Sequence, residues 1–247
     1  ALASAASSYQ ELAVSRSGTD DAIVTLMFNR PDQVRLLRVA PAPPLHPIAP
    51  LPRKDNSPAA PGLLCAQRNT WTETLRVELC DAIALANADD TCRCLVLTGN
   101  VDGRAFCSGM NLDANPWANG SLVMDGDKPE GEPASVQNFR DGGGIAALAL
   151  LHSTKPSICA LNGNAVGVGA TLPLACDMRV AEAGARIGYV FAQRGLTIES
   201  CASFLLPRVV GRSKAMEWCI TGRVFKASDE ADSGLFNYVV EGVDAVL

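Results

Sequence analysis

Short apolar runs bounded by glycine, proline or asparagine alternate with segments of helical period along most of this chain. That alternation restricts it to an α/β architecture. Residues 23–28 (IVTLMF) read as a strand closed by Asn29-Arg30-Pro31. Leu75, Leu79, Ile83 and Ala86 then recur at helical spacing, and Thr70 with Glu73 has the T-x-x-E pattern of a capping box. Residues 94–98 (CLVLT) and 157–161 (SICAL) read as buried strands, with shorter ones at 178–181, 186–190 and 238–240. Helices are predicted over 145–151, 170–175, 199–206, 213–220 and 228–233.

One block breaks the pattern. Eight of the fifteen prolines lie between Pro41 and Pro61, within a stretch, 34–67, that shows neither period. Proline removes backbone donors and restricts the residue before it, so this block cannot continue a helix or a central strand. It reads as an extended, poorly ordered insertion, with a proline-rich partner-binding segment as the alternative. The expected organisation is one domain formed by 1–33 and 68–247, interrupted at 34–67. A second polar stretch, 115–144, is a lid or surface loop, and Gly142-Gly143-Gly144 weakens any helix at its end by about 1 kcal/mol per glycine relative to alanine. The chain starts at Ala1 without a methionine and stops at Leu247 soon after the last predicted strand, so a fragment or processed form is expected.

Composition removes several function classes. With 48% apolar and 19% charged residues, the chain can bury a sizeable core and is not a disordered polymer. A net charge of −5 argues against a general nucleic-acid binder. No run of about 18 uncharged apolar residues is present to span a membrane. His46 and His152 are the only histidines, and no G-x-S-x-G elbow occurs, which argues against histidine metal sites and a Ser-His-Asp triad. The nine cysteines include no C-x-x-C pair and sit largely in apolar runs, as buried thiols of an intracellular, reducing compartment would.

Two glycine loops carry the chemistry. Residues 104–112 (RAFCSGMNL) and 162–169 (NGNAVGVG) each follow a strand. Glycine lets a ligand approach the backbone closely, and two such loops can aim two N–H groups at one oxygen, forming an oxyanion hole. The second loop is neither a P-loop nor G-x-G-x-x-G, since its glycines run G-x-x-x-G-x-G. Taken singly, each loop reads first as a structural turn; their combination and order favour the functional reading.

These motifs, in this order, resemble the crotonase family, the enoyl-CoA hydratase/isomerase group. The resemblance runs through 24–31, the helix from Asn69, 95–112, 155–179, 206–211, Thr221-Gly222-Arg223 and 231–240. It implies a spiral of ββα turns, assembly as a homotrimer or a dimer of trimers, and an acyl-CoA thioester substrate. No separate cofactor is implied, since CoA is part of that substrate, and neither nucleic acid nor membrane is an expected partner. It also implies further C-terminal helices that this chain does not reach. Carried over by position, the oxyanion donors are the N–H groups of Met110 and Val168. Ser108, Gly109, Gly167, Gly169 and Phe191 are the substrate-binding residues. The family more often has glycine where this chain has Val168.

The acid–base positions depart further. Thr171 and Phe191 stand where the hydratase pattern has its two glutamates, which argues against ordinary hydration. Glu199, in the segment GLTIESCASF, matches the catalytic base of the peroxisomal type of Δ3,Δ2-enoyl-CoA isomerase. That reaction needs one carboxylate to take a proton from C2 and return it at C4. Read without the family, Glu199 is an acid near a helix start. A hydratase-like reaction and a non-catalytic acyl-CoA-binding scaffold are the competing readings. Asp113, Asp125, Asp127 and Glu130 read as solvated loop charges, His152 as a helix cap and Asp177 as a structural residue. Arg30 and Arg68 are candidates for CoA phosphates or plain surface charges.

Overall fold

The computed structural model describes Leu2, Ala5 and residues 7–18, 22–29, 69–100, 105–110 and 140–247. The 34–67 block, Arg30, Arg68, the four loop acids and the 115–139 part of the polar stretch lie outside the described residues. Among the described residues, ten strands form two sheets. The larger has the order β1-β2-β3-β5-β7-β10, from β1 (Leu12–Ser17), β2 (Ile23–Phe28), β3 (Cys94–Gly99), β5 (Ser157–Leu161), β7 (Met178–Glu182) and β10 (Tyr238–Val240). The smaller has the order β4-β6-β8-β9, from β4 (Ala105–Cys107), β6 (Asn164–Val166), β8 (Arg186–Gly188) and β9 (Val224–Lys226). Among the described strands, the β1–β2 and β8–β9 pairs are antiparallel and the others parallel.

Chain order explains the architecture. β3, β5 and β7 enter the large sheet, and the strand after each, β4, β6 and β8, enters the small one. Each pair is followed by helical structure, so the chain winds as repeated ββα turns, as the resemblance implies. A crossover of this kind keeps successive strands parallel within each sheet. Gly99 permits the first corner, since a Cβ there would lie 2.6 Å from Phe106 O. Asn162 ties the corners together by donating to Gly99 O (2.5 Å) and accepting from Gly99 N–H (3.2 Å).

The core lies between the large sheet and helices α1 (Glu73–Asn87) and α2 (Gly142–Leu151). Leu75, Leu79 and Ile83 on α1 meet Leu26, Leu95 and Leu97 of the sheet, all of them 2% exposed or less. Burying each such side chain contributes about 1.5–3 kcal/mol before chain entropy is charged against it. The helix cap differs from expectation. Thr72, not Thr70, accepts the Leu75 N–H (3.1 Å), which places Glu73 at the first helical position and leaves no capping box. Trp71 explains the delay: it is 3% exposed and forms a parallel bridge with Met110, so its backbone is extended.

Three further boundaries move. The predicted helix over 170–175 is a short α-turn, α3 (Val168–Thr171), continued by the 3-10 helix Leu172–Ala175. The helix predicted from Glu199 begins later, as α4 (Ala202–Val210), followed by α5 (Arg212–Thr221). The glycine triplet is not a helix breaker but the first turn of α2, with Asp141 as its N-cap. His152 is the C-cap of α2, and Asp177 accepts from Ser157 N–H (2.7 Å) and hydroxyl (2.9 Å).

Candidate active site

The two glycine loops come together because the strands before them pair. β4 and β6 are parallel neighbours, with Ala105 opposite Asn164 and Cys107 opposite Ala165. Their ends therefore deliver Ser108-Gly109-Met110 and Gly167-Val168-Gly169 side by side. Gly109 (φ 99°) and Gly167 (φ 59°) take positive φ, where a Cβ is strained. A Cβ on Gly109 would lie 3.1 Å from Val166 O, and one on Gly167 3.7 Å from the Gly109 Cα. A Cβ on Gly169 would collide with the backbone carbonyl of Cys107.

Val168 sits just past the strained position, as the first residue of α3, with no positive φ of its own. A β-branched residue is therefore tolerated where the family more often has glycine. No hydrogen bond from the Met110 or Val168 N–H is found among the described residues. Met110 is partly exposed and Val168 buried. Phe191 is half-buried at the start of the 3-10 helix Ala192–Arg194.

Glu199 reaches the same region from the other side. Thr171, on α3 three residues after Val168, donates its hydroxyl to Glu199 Oε1 (2.9 Å), and Ser200 donates to Oε2 (2.6 Å). The Thr171 hydroxyl also lies 3.3 Å from Val168 O and 3.4 Å from Gly167 O. A hydroxyl hydrogen rotates, so Thr171 can serve Glu199 as carboxylate or accept from it as acid while donating back to α3. Glu199 is followed by two residues in the left-handed region, Ser200 (φ 56°) and Cys201 (φ 58°). This kink delays the start of the predicted helix to Ala202 and turns the Glu199 side chain inward, toward α2.

There it meets a residue that sequence reasoning did not single out. The Asp141 and Glu199 carboxyls both stand beside the place that a Cβ on Gly143 would take. Asp141 Oδ1 also accepts from Gly144 N–H (2.6 Å) and Ser200 N–H (3.2 Å). The Asp-Gly-Gly-Gly run was the available signal: an N-cap residue before a helix whose first turn has no side chains. A Cβ on Gly143 would collide with Glu199 Oε2 and Ser200 Oγ. Burial, and after it the Asp141 carboxyl, push the Glu199 pKa up from 4.5 to about 8, against the downward pull of the Ser200 and Thr171 hydroxyls. A carboxyl poised there can take up and return a proton near neutral pH. Among the described residues, no group of three or more His, Cys, Asp or Glu is arranged to hold a metal ion, and no helix is long and apolar enough to cross a membrane.

Known proteins share this arrangement of the chain. The sequence profile of the enoyl-CoA hydratase/isomerase family matches residues 65–246. The enoyl-CoA hydratase ACTT3 of Alternaria alternata is 33% identical over 181 residues, which is 73% of this chain but 56% of the relative, so the chain spans little more than half of that protein's length. The 1,2-epoxyphenylacetyl-CoA isomerase of Escherichia coli (strain K12) is 34% identical over 174 residues, covering 70% of this chain and 62% of the relative. Among solved structures, an enoyl-CoA hydratase/isomerase from Pseudoalteromonas atlantica T6c superposes with a TM-score of 0.66 at 25% identity, covering 96% of this chain and 72% of the other. Both the ββα winding and the matched residues lead to one placement: this chain belongs to the enoyl-CoA hydratase/isomerase family, within the crotonase superfamily.

Proposed function

We propose that this family member shifts the double bond of a 3-enoyl-CoA to give the 2-enoyl-CoA, with Glu199 as the base. One observation carries the reading: Glu199 is a half-buried carboxyl, hydrogen-bonded to α3, and the two hydratase positions hold Thr171 and Phe191 instead. The Glu199 carboxylate takes a proton from C2, α to the thioester, and becomes the acid. The electron pair left behind spreads through the dienolate to the thioester oxygen. The Met110 and Val168 N–H groups donate to that oxygen, as Ser108, Gly109, Gly167 and Gly169 bring the backbone close to the substrate. Glu199 then returns its proton at C4, so no proton is gained or lost. Thr171 reorients its hydroxyl as Glu199 changes protonation state, which spares the site a broken hydrogen bond in either form.

Hydration of a 2-enoyl-CoA is the second reading. Asp141 beside Glu199 favours it, because two carboxyl groups at one point can activate a water and deliver a proton. Several relatives are also named hydratases. The test measures 3-enoyl-CoA isomerisation and 2-enoyl-CoA hydration side by side for the wild type and Glu199→Gln. Isomerisation in the wild type, lowered about 10²-fold or more in the variant, is expected. Hydration without isomerisation would replace the first reading with the second. Binding of acyl-CoA with neither turnover would point to a scaffold.

A further inference from the structure

Asp141 has no role in the reaction as written above, yet the fold converges on it. Its carboxyl caps α2 through the Gly144 N–H and reaches across to the Ser200 N–H, 59 residues away in sequence. The Ser200 bond holds the first of two consecutive left-handed residues, an unfavourable conformation for any residue with a Cβ. Gly143 leaves out the side chain that would otherwise fill the space between the two carboxyls. A Cβ there would lie 3.2 Å from Asp141 Oδ1 and would collide with Glu199 Oε2. So three features bring the Asp141 and Glu199 carboxyls to one place: a cap, a kinked backbone and a missing side chain.

We infer that Asp141 is a positioning residue for the base: its carboxyl, fixed beside Glu199, makes the Glu199 carboxyl hold its proton more tightly. The inference rests on Glu199 being the base of the proposed reaction. Its physical ground is that a carboxyl held beside another in a half-buried place disfavours negative charge on the second. Asp141 Oδ1 accepts two backbone N–H groups, which fixes that carboxyl where it stands. Glu199 is offered two hydroxyls that serve either protonation state. Glu199 therefore keeps its proton to higher pH and, once ionised, is a stronger base than an isolated glutamate.

The surroundings are accounted for on each side. Arg140, the exposed residue before Asp141, acts electrostatically on the half-buried Cys201 thiol at the kink. Across Gly142, α1 presents Arg76, ion-paired with Glu73 three residues before it. The groups contributed by α3 and the kink, Thr171 and Ser200, are uncharged hydroxyls.

The experiment separates this electrostatic effect on Glu199 from a merely structural cap. Asn is itself a good N-cap, so Asp141→Asn keeps the α2 cap and an acceptor for Ser200 while removing the second carboxyl. The Glu199 carboxyl carbon is followed by 13C NMR across pH in wild type and variant, its resonance assigned by its loss in Glu199→Gln. The Glu199 midpoint should move acidward by about one pH unit or more in Asp141→Asn. Where that protein fails to fold, Asp141→Ser, which also caps a helix, replaces it. The isomerase pH profile, whose rate rises as Glu199 ionises, should move in the same direction, with a lower plateau. An unchanged Glu199 midpoint overturns the inference whatever the activity. A shifted midpoint in a protein that does not isomerise 3-enoyl-CoA upholds the pair and removes the reaction.

Discussion

Two glycine-rich segments meet at this site, and they use the same residue for different reasons. In the loops after β4 and β6 the demand comes from the backbone: Gly109 and Gly167 adopt positive φ, and Gly169 presses against the Cys107 main chain. In the first turn of α2 none of the three glycines has positive φ. There the demand is for absent atoms, and it differs along the triplet. Beside Gly143 stand the ends of Glu199 and Ser200, beside Gly144 the Asp141 carboxyl, and beside Gly142 the flexible Arg76 side chain, with Glu73 at ordinary contact distance. A glycine required by main-chain contact has nothing to yield. One required by a side chain tolerates alanine to the degree that its neighbour can retreat.

That contrast can be broken by substitution. Gly169→Ala should have the largest effect, because its Cβ meets a backbone carbonyl and forces β4 and β6 apart. A loss of about 3 kcal/mol or more in urea unfolding is expected, together with activity. A stable, active Gly169→Ala would remove the distinction. Gly143→Ala comes next, and its effect should divide. Alanine favours the helix by about 1 kcal/mol, offsetting much of the steric cost, so the melting temperature should change little. The displaced Glu199 carboxylate should still cost about 10²-fold in turnover, the usual consequence of moving a catalytic group by an ångström. Equal losses in stability and turnover would mean that Gly143 serves the fold alone. The smallest effect belongs to Gly142→Ala, which should be neutral or stabilise by up to about 1 kcal/mol in the same unfolding assay. A strong destabilisation there would show that the whole triplet is under one constraint.

Legibility in the sequence followed the same division between bulk burial and local geometry. β2, β3 and β5 were readable because their aliphatic side chains lie in the core and have few polar interruptions. β4, β6 and β9 are three residues each and run straight into glycine loops or charged residues, without the unbroken apolar run that marks β10, yet β4 and β6 place both loops. Thr70 and Thr72 are both plausible caps by type, and only the bridge of Trp71 to Met110 decides between them. The early start assigned to the helix after Glu199 failed at Ser200 and Cys201, whose left-handed backbone is imposed by tertiary contacts and has no glycine to announce it. Glu199, Met110 and Val168 came from family resemblance, not from physical pattern. Asp141 came from neither, because its partner is far along the chain and the glycines after it read as a loop.

The bridge at Trp71 has a consequence for how the site could be watched. The Trp71 N–H donates to Gly109 O at 2.8 Å, and its indole is packed edge-on against Phe28 with centroids 6.2 Å apart. Deuterium can enter that amide only when the first glycine loop lets go of it or the core opens more widely. The exchange rate at this one position is therefore a clock for the loop that carries Met110, and it runs whether or not a substrate is ever found.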